Sequence, residues 1–341
     1  MNKNRRVRIC DIAEELGVST ATVSNVIHGK TKKISDETVR RVQQLLEEWE
    51  YIPSMAGILL AQNDSKIIGV IINNNIKYEG HILEDPFISS ALNQLSIEIE
   101  KSGFFMMVKT TPECAADIIK FASMWNLTGM ILIGFCEQDY NKIRESIHIP
   151  FVVYDGYMEK FHRICNISID NSNGGYQVGK HLSELEHKKT LCIADNKKCM
   201  DLERYEGFCK AVEEANGQAD FMLIPMNKNE RHKIYEKSLK KIKEYTAIFA
   251  VSDYYAVDIM QFLLEYGVKI PEDISIVGFD DTPICRQITP SLTSVQQDCS
   301  KRARVALETL QKLKNNEETE TEKILEVNLI KRNSTAKCTK N

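Results

Sequence analysis

The sequence predicts an all-α N-terminal headpiece joined to a two-lobed α/β body. Three observations carry that prediction. Up to Glu50 the apolar residues follow helical spacing and strand signals are absent. From Lys66 onward, short apolar runs alternate with amphipathic stretches. Between the two, residues 53–65 (PSMAGILLAQNDS) read as neither a full helix nor a strand, and so as a short hinge. At 341 residues the chain suits a small domain plus a larger body, since single domains typically hold roughly 100 to 200 residues.

In the headpiece the helical segments run from Cys10 to Leu16, Ser19 to Ile27 and Ser35 to Glu50. Ser35 precedes Asp36 and Glu37, which suits a helix start, where free amides and the positive dipole end favour a hydroxyl and then carboxylates. Gly17 and Val18 separate the first two helices. Gly17 can take the left-handed conformation that closes the first, Val18 can plug the gap, and Ser19 can cap the second. This is helix-turn-helix spacing. Ala13, Leu16, Val23 and Ile27 supply a small core.

Strands are predicted in IIGVII from Ile67, FFMMVK from Phe104, GMILIGF from Gly129, PFVVYD from Pro150, NISID from Asn166, TLCIAD from Thr190, FMLIP from Phe221, AIFAVS from Ala247 and SIVGFD from Ser275. Helical stretches such as ISSALNQLSIEIEKSG and ADIIKFASMW lie between most of them, which predicts parallel sheets covered on both faces. So long a series suits two sheets better than one. The run KNNEETETEK reads as a solvated loop and TAKCTKN as a frayed tail.

Composition excludes several classes. Hydrophobic residues at 43% and charged residues at 27% are ordinary for a globular protein. No apolar run approaches the roughly 20 residues of a spanning helix, and MNKNRRVRICDIAEEL lacks the apolar core of a signal peptide, so a cytoplasmic location is expected. The ten cysteines contain no C-x-x-C pair and read as free thiols, mostly core filler. The seven histidines show no metal spacing; neither a metal, a cofactor nor enzyme activity is expected. GGYQVGK, from Gly174 to Lys180, imitates a phosphate-binding loop, but His181 follows where a hydroxyl would hold magnesium. Net charge is -4, yet up to Leu46 nine basic residues outnumber five acidic ones. A basic tip on an acidic body suits contact with phosphate at one end only.

Thr20, Ala21, Ser24 and Asn25 face outward at the start of the second helix, next to Ser19. In a helix-turn-helix this part enters the major groove, where Asn25 can bond adenine bidentately and Thr20 with Ala21 can pack on a thymine methyl.

The run VRICDIAEELGVSTATVSNVIHGKTKKISDETVRRVQQLLEEWEYIPSMAG resembles the LacI/GalR headpiece over its full length, and the body resembles that family's effector domain in ISIDNSNGGYQVGKHL, RYEGF, IFAVSDYYAVDIMQFLLEYGVKIPEDISIVGFDDT, PSLTSV and NLIKRNS. The resemblance implies a periplasmic-binding-protein-like body: two lobes, each a parallel-sheet Rossmann-like subdomain, joined by three crossing strands. It places a headpiece at 1–52, a hinge at 53–65, an effector-binding and dimerisation domain at 66–334 and a tail at 335–341. The N-subdomain takes about 66–167 and 297–326, the C-subdomain about 168–296 and 327–334.

By the same resemblance Thr20, Ala21 and Asn25 read bases, Lys30, Lys32 and Lys33 hold phosphates, and Leu60 wedges into the minor groove at the centre of a palindromic site. Such a wedge works only when two hinges pack together, so a homodimer on double-stranded operator DNA is implied. Gly57 and Ile58 depart from the family's usual Ala and Arg; a glycine costs a helix about 1 kcal/mol relative to alanine.

Open α/β sheets bind ligands beyond the carboxyl ends of their strands. The polar residues found there are Asn73 to Asn75, Tyr154 with Asp155, Asp170 with Asn171, Asp195, Ser252 with Asp253, and Asp280 with Asp281. Any one of these acids is more often a helix cap than a ligand contact. The resemblance makes Arg204 and Asp253 the strongest effector contacts and Asp170 the next, with Phe87 stacking on the ligand and Tyr154 and Asp155 lining the same cleft. The first inter-element segment, NNNIKYEGHILEDPF, is longer than usual, Lys198 and Met200 replace smaller polar residues near the cleft, and Glu186 replaces a helix-ending glycine. The implied function is a transcriptional regulator, a repressor by resemblance, controlled by a small molecule such as a sugar. Control by a protein partner is the alternative; a solute receptor or enzyme of the same shape is disfavoured by the headpiece.

Overall fold

The computed structural model describes residues 7–52, 64–74, 81–111, 115–135, 137–156 and 164–339. The chain divides into two units, Met1–Ser65 and Lys66–Asn341. The hinge, with Gly57, Ile58 and Leu60, lies outside the described residues apart from its last two positions, as do Asn75, Cys114 and Cys136.

The first unit holds α1 (Ile9–Leu16), α2 (Thr20–Ile27) and α3 (Asp36–Glu48). Gly17 closes α1 at φ +64°, as its lack of a Cβ allows. Ser19 accepts the Thr22 amide at 3.0 Å and Ser35 accepts the Thr38 amide at 3.3 Å, so both hydroxyls cap their helices. Ile12, Ala13, Val23, Val26 and Val42 form the buried core, with Leu16, Val18 and Ile27 half-buried around it. Val42 on α3 completes what two short helices cannot enclose.

The second unit is two six-stranded sheets. The first has the order β11-β5-β4-β3-β1-β2, built from β1 (Ile67–Asn73), β2 (Phe105–Thr111), β3 (Gly129–Ile133), β4 (Phe151–Tyr154), β5 (Cys165–Ile169) and β11 (Glu322–Leu325), every pair parallel. Its helices are α4 (Pro86–Lys101), α5 (Ala115–Trp125), α6 (Glu137–Ser146) and α12 (Cys299–Lys314). The second has the order β12-β10-β9-β8-β6-β7, from β6 (Lys189–Ala194), β7 (Gln218–Leu223), β8 (Ala247–Ala250), β9 (Ser275–Asp280), β10 (Thr293–Gln296) and β12 (Asn328–Ile330). Here only the β10–β12 pair is antiparallel. Its helices are α7 (Asn171–Glu184), α8 (Cys199–Glu214), α9 (Lys228–Ile242), α10 (Asp253–Glu265) and the single turn α11 (Ile284–Gln287). Central strands such as β3 and β8 are buried at every residue, as sheets covered on both faces require.

All nine predicted strands are present, and β10, β11 and β12 join them. The chain changes sheets three times, after Ile169, after Gln296 and after Leu325. In each sheet the strand order reverses beside its first strand, β1 or β6, which puts the binding crevice at the strands' carboxyl ends.

Within the second lobe, α7 and α8 pack almost backbone to backbone. A Cβ on Gly175 would stand 1.9 Å from the Arg204 carbonyl oxygen, and one on Gly207 1.9 Å from that of Ser172. Gly175 and Gly179 of GGYQVGK therefore serve helix packing.

Three expectations need correction. The segment 335–341 is not frayed through Cys338: its amide donates to the Leu185 carbonyl, and Ala336 bonds both His187 and Ser275. KNNEETETEK is not all loop, because Glu322 and Lys323 begin β11 beside β5. Of the eight described cysteines all are free, but only Cys165, Cys192 and Cys285 are buried; Cys10 and Cys199 are exposed. The small size of the side chain lets it sit on either surface.

Candidate functional site

On the first unit, α2 is two-sided. Val23 and Val26 point into the core, while Ser19, Thr20, Ala21 and Asn25 are exposed. Ser24 is half-buried, its Oγ 3.5 Å from His28 Nδ1. Lys30, Lys32 and Lys33 are exposed in the following turn. The arrangement offers short polar and methyl-bearing groups from the first turns of a helix, with cations nearby, which suits base edges flanked by phosphates.

The second unit carries three adjoining cavities. The innermost, about 140 Å3, is lined from the first lobe by Asp85, Phe87 and Asp155, and from the second by Met200, Asp201, Arg204, Ser252, Tyr254, Asp280 and Thr282, with Gln297 at a crossing. A larger one of about 600 Å3 shares Phe87, Asp280, Thr282 and Gln297 with it and extends along Ser89, Ser90, Asn93 and Gln94. The third, about 220 Å3, shares Met200 and reaches Asp170 and Glu203, whose carboxyl is pushed up by burial. Carboxylates, hydroxyls and amides dominate, so a ligand rich in hydrogen-bond donors fits the chemistry.

Local structure explains how these groups are aimed. Asp85 caps α4 by accepting the Phe87 and Ile88 amides at 3.0 Å each, which fixes Phe87 at the helix start. Arg204 is held from several sides: Nε donates to Asn171 Oδ1 at 2.9 Å, NH1 to the Val251 carbonyl at 2.7 Å, and the guanidinium lies 3.8 Å over the Phe279 ring. Asp155, Cys199, Asp280 and Asp281 hold positive φ values of 62°, 49°, 117° and 51°. Such backbone costs about 1–3 kcal/mol per residue, and Asp155, Asp280 and Asp281 are the ones of these that border the cavities.

The structure thus brings Arg204, Phe87 and Asp155 together around one cavity and places Asp170 at the neighbouring one, where it also caps α7 by accepting the Asn173 amide at 2.9 Å. Two residues fall elsewhere. Asp253, expected among the strongest effector contacts, is fully buried. Oδ1 accepts from Ser294 at 2.6 Å, and Oδ2 accepts from the Thr282 amide, the Thr282 hydroxyl and the Cys285 thiol at 2.7, 2.9 and 3.0 Å. Burial pushes its carboxyl pKa up against those donors. It ties the loop after β9 to β10 rather than facing the cleft. Tyr154, expected to line the cleft, is buried beneath Arg302, whose guanidinium lies 4.9 Å over its ring, and borders none of the three cavities.

Residues absent from the sequence-based set are Gln297, Asp201, Tyr254 and Arg302. Arg302 left a readable signal, since it shares the α12 face of Ala303, Ala306, Leu307 and Leu310, all buried. Among the described residues, no group of three or more His, Cys, Asp or Glu side chains could hold a metal ion, and no helix is long and apolar enough to cross a membrane.

A helix-turn-helix unit followed by a two-lobed body with a polar interlobe cleft is the build of a ligand-controlled DNA-binding regulator. Comparison with known proteins agrees. Residues 8–54 match the bacterial regulatory proteins of the lacI family, and residues 180–335 match a periplasmic binding protein-like domain. The chain is 30% identical to the HTH-type transcriptional regulator MalR of Clostridium butyricum, over 96% of its own length and 99% of the relative's. A solved structure of the lac repressor dimer bound to operator and the anti-inducer ONPF matches with a TM-score of 0.82 at 22% identity, covering 97% of this chain and 100% of that one. The periplasmic binding protein/LacI transcriptional regulator from Alkaliphilus metalliredigens QYMF, complexed with D-xylulofuranose, matches with a TM-score of 0.68 at 28% identity, covering 79% and 99%. The chain belongs to the LacI family of bacterial regulatory proteins.

Proposed function

We propose that this protein is a cytoplasmic, homodimeric transcriptional repressor without enzyme activity. It binds a palindromic operator through the face of α2 that carries Thr20, Ala21 and Asn25, and it responds to a small molecule, a sugar or related metabolite, bound between its lobes. The observation that carries the reading is the presence in one chain of that exposed face and of a cleft where Asp155 and Phe87 of one lobe oppose Arg204 and Asp280 of the other. The regulator from Alkaliphilus metalliredigens, bound to D-xylulofuranose, supports a sugar-like effector.

In this mechanism Lys30, Lys32 and Lys33 hold phosphates and set a steep salt dependence, while the α2 face selects sequence. Leu60 of each protomer enters the minor groove at the operator centre. Effector contacts made from both lobes favour one lobe arrangement, and that preference reaches the paired hinges as a coupling of about 1–3 kcal/mol. Calorimetric titration of a sugar and metabolite panel tests the cleft assignment. A ligand of the wild type is expected to lose binding in Arg204→Met, and a ligand that binds both proteins equally well would overturn it.

A further inference from the structure

Building on the effector reading, we infer that Arg302 is a positioning residue for the cleft: a buried guanidinium that holds Asp155 and Gln297 in place and so ties the cleft wall of one lobe to that of the other. Arg302 sits on the first turn of α12, which packs on the first lobe, and is 1% exposed. NH2 donates to Asp155 Oδ1 at 2.8 Å, at the end of β4. NH1 donates to Gln297 Oε1 at 2.8 Å, at the crossing before α12. Gln297 in turn donates through Nε2 to Asp280 Oδ1 at 2.5 Å, at the end of β9 in the second lobe, and that oxygen stands 3.9 Å from Arg204 NH1. One line of contacts therefore runs Asp155, Arg302, Gln297, Asp280, Arg204. Four of its five members border the innermost cavity, and Arg302 alone lies behind it.

Physical chemistry makes Arg302 the fixed member. Burial disfavours its charge, and Asp155 beside it is the charge that restores it. Its Nε has no hydrogen-bond partner among the described residues, so the guanidinium is held by its bonds to Asp155 and Gln297 and by the Tyr154 ring beneath it. A buried charge that loses its partner costs far more than a surface pair, so Asp155 cannot swing away while Arg302 stays buried. The left-handed backbone of Asp155 and the strained one of Asp280 are both held by members of this line, Asp155 by Arg302 and Asp280 by Gln297. A ligand that meets Asp155 and Asp280 together thus acts on both lobes through contacts that already exist.

The test uses the full-length protein with Arg302→Met, and with Asp155→Asn/Arg302→Met, which removes both charges and keeps the fold should the single variant unfold. Hydrogen exchange without any ligand is the first readout. If Arg302 positions the cleft, amides at 280–282 in the second lobe exchange about tenfold or more faster in the double variant, although the changed residues lie in the first. Faster exchange confined to 153–156 and 297–303 overturns the proposal and leaves Arg302 a local packing element. The second readout is operator affinity with and without a small-molecule extract of cells. Arg302→Met, which leaves the cleft-lining Asp155 unchanged, is expected to lose about tenfold of the extract's effect on operator affinity. An unchanged effect overturns the proposal. A wild type indifferent to every extract counts against the effector reading, and the exchange result still decides the role of Arg302.

Discussion

Asn25 and Asp253 show how differently two polar residues behave once folded. Asn25 stays exposed on α2, so its replacement leaves the headpiece core untouched. Asn25→Ala is expected to weaken operator binding by about 1–3 kcal/mol while the melting curve stays put, as read by anisotropy titration and thermal unfolding. Asp253 reads in the sequence as a cleft residue, because a strand-end acid carries no mark of whether it points toward the crevice or back into the lobe. Four donors from Thr282, Cys285 and Ser294 draw it inward. Asp253→Ala should therefore destabilise the body by about 3 kcal/mol in chemical denaturation, since it strands buried donors. If it were instead a direct effector contact, ligand affinity would fall with stability unchanged. Arg302 is the mirror case, a charged residue in CSKRARVALETL that reads as surface until its helix phase is counted.

Among the elements, the headpiece was legible almost residue by residue, because a capping serine and a left-handed glycine act within a few residues of where they stand. The same holds for the nine predicted strands, whose apolar runs need no distant partner to be recognised. By contrast β10 (TSVQ), β11 (EKIL) and β12 (NLI) carry polar residues in place of an apolar run and exist through pairing with remote strands. The tail was illegible for a like reason: its partners, Ser275, Leu185 and His187, are far away in sequence. Two expectations belong at this scale. Gly175→Ala places a methyl group where the Arg204 carbonyl stands, and should cost about 3 kcal/mol or more in denaturant unfolding by prising α7 from α8.

Acid should also loosen the second lobe through His181. Its imidazole, bonded to Thr335, is driven down to about 4 by burial, with Lys331 acting in the same direction and Glu184 against it. The unfolded chain takes up its proton near pH 6.5, as for any free histidine, while the folded chain resists until about pH 4. Protonation thus favours unfolding across that window: this contribution is absent above it, grows as pH falls through it, and is complete below it. His181→Gln should flatten that part of the stability–pH curve; an unchanged slope would assign the acid sensitivity to other groups.

For the whole molecule, the fold class and family followed from the order of motifs, while the chemistry of the cleft followed only from tertiary contacts. Phe87, Asp155 and Arg204 were foreseeable; their assembly with Gln297, Tyr254 and Asp201 was not, because those residues reach the cavity from a crossing and from helix starts whose neighbours are distant in sequence. A basic headpiece tip and a cleft that binds a small molecule make one device only if occupancy of the second alters the first. The most direct measurement is operator selection from random duplexes with purified protein at moderate ionic strength, followed by affinity measurements with and without small-molecule extract. The expected result is a two-fold symmetric sequence, bound in preference to random competitor by at least about a thousandfold, with an affinity that the extract shifts. Binding indifferent to duplex sequence in both conditions would contradict it.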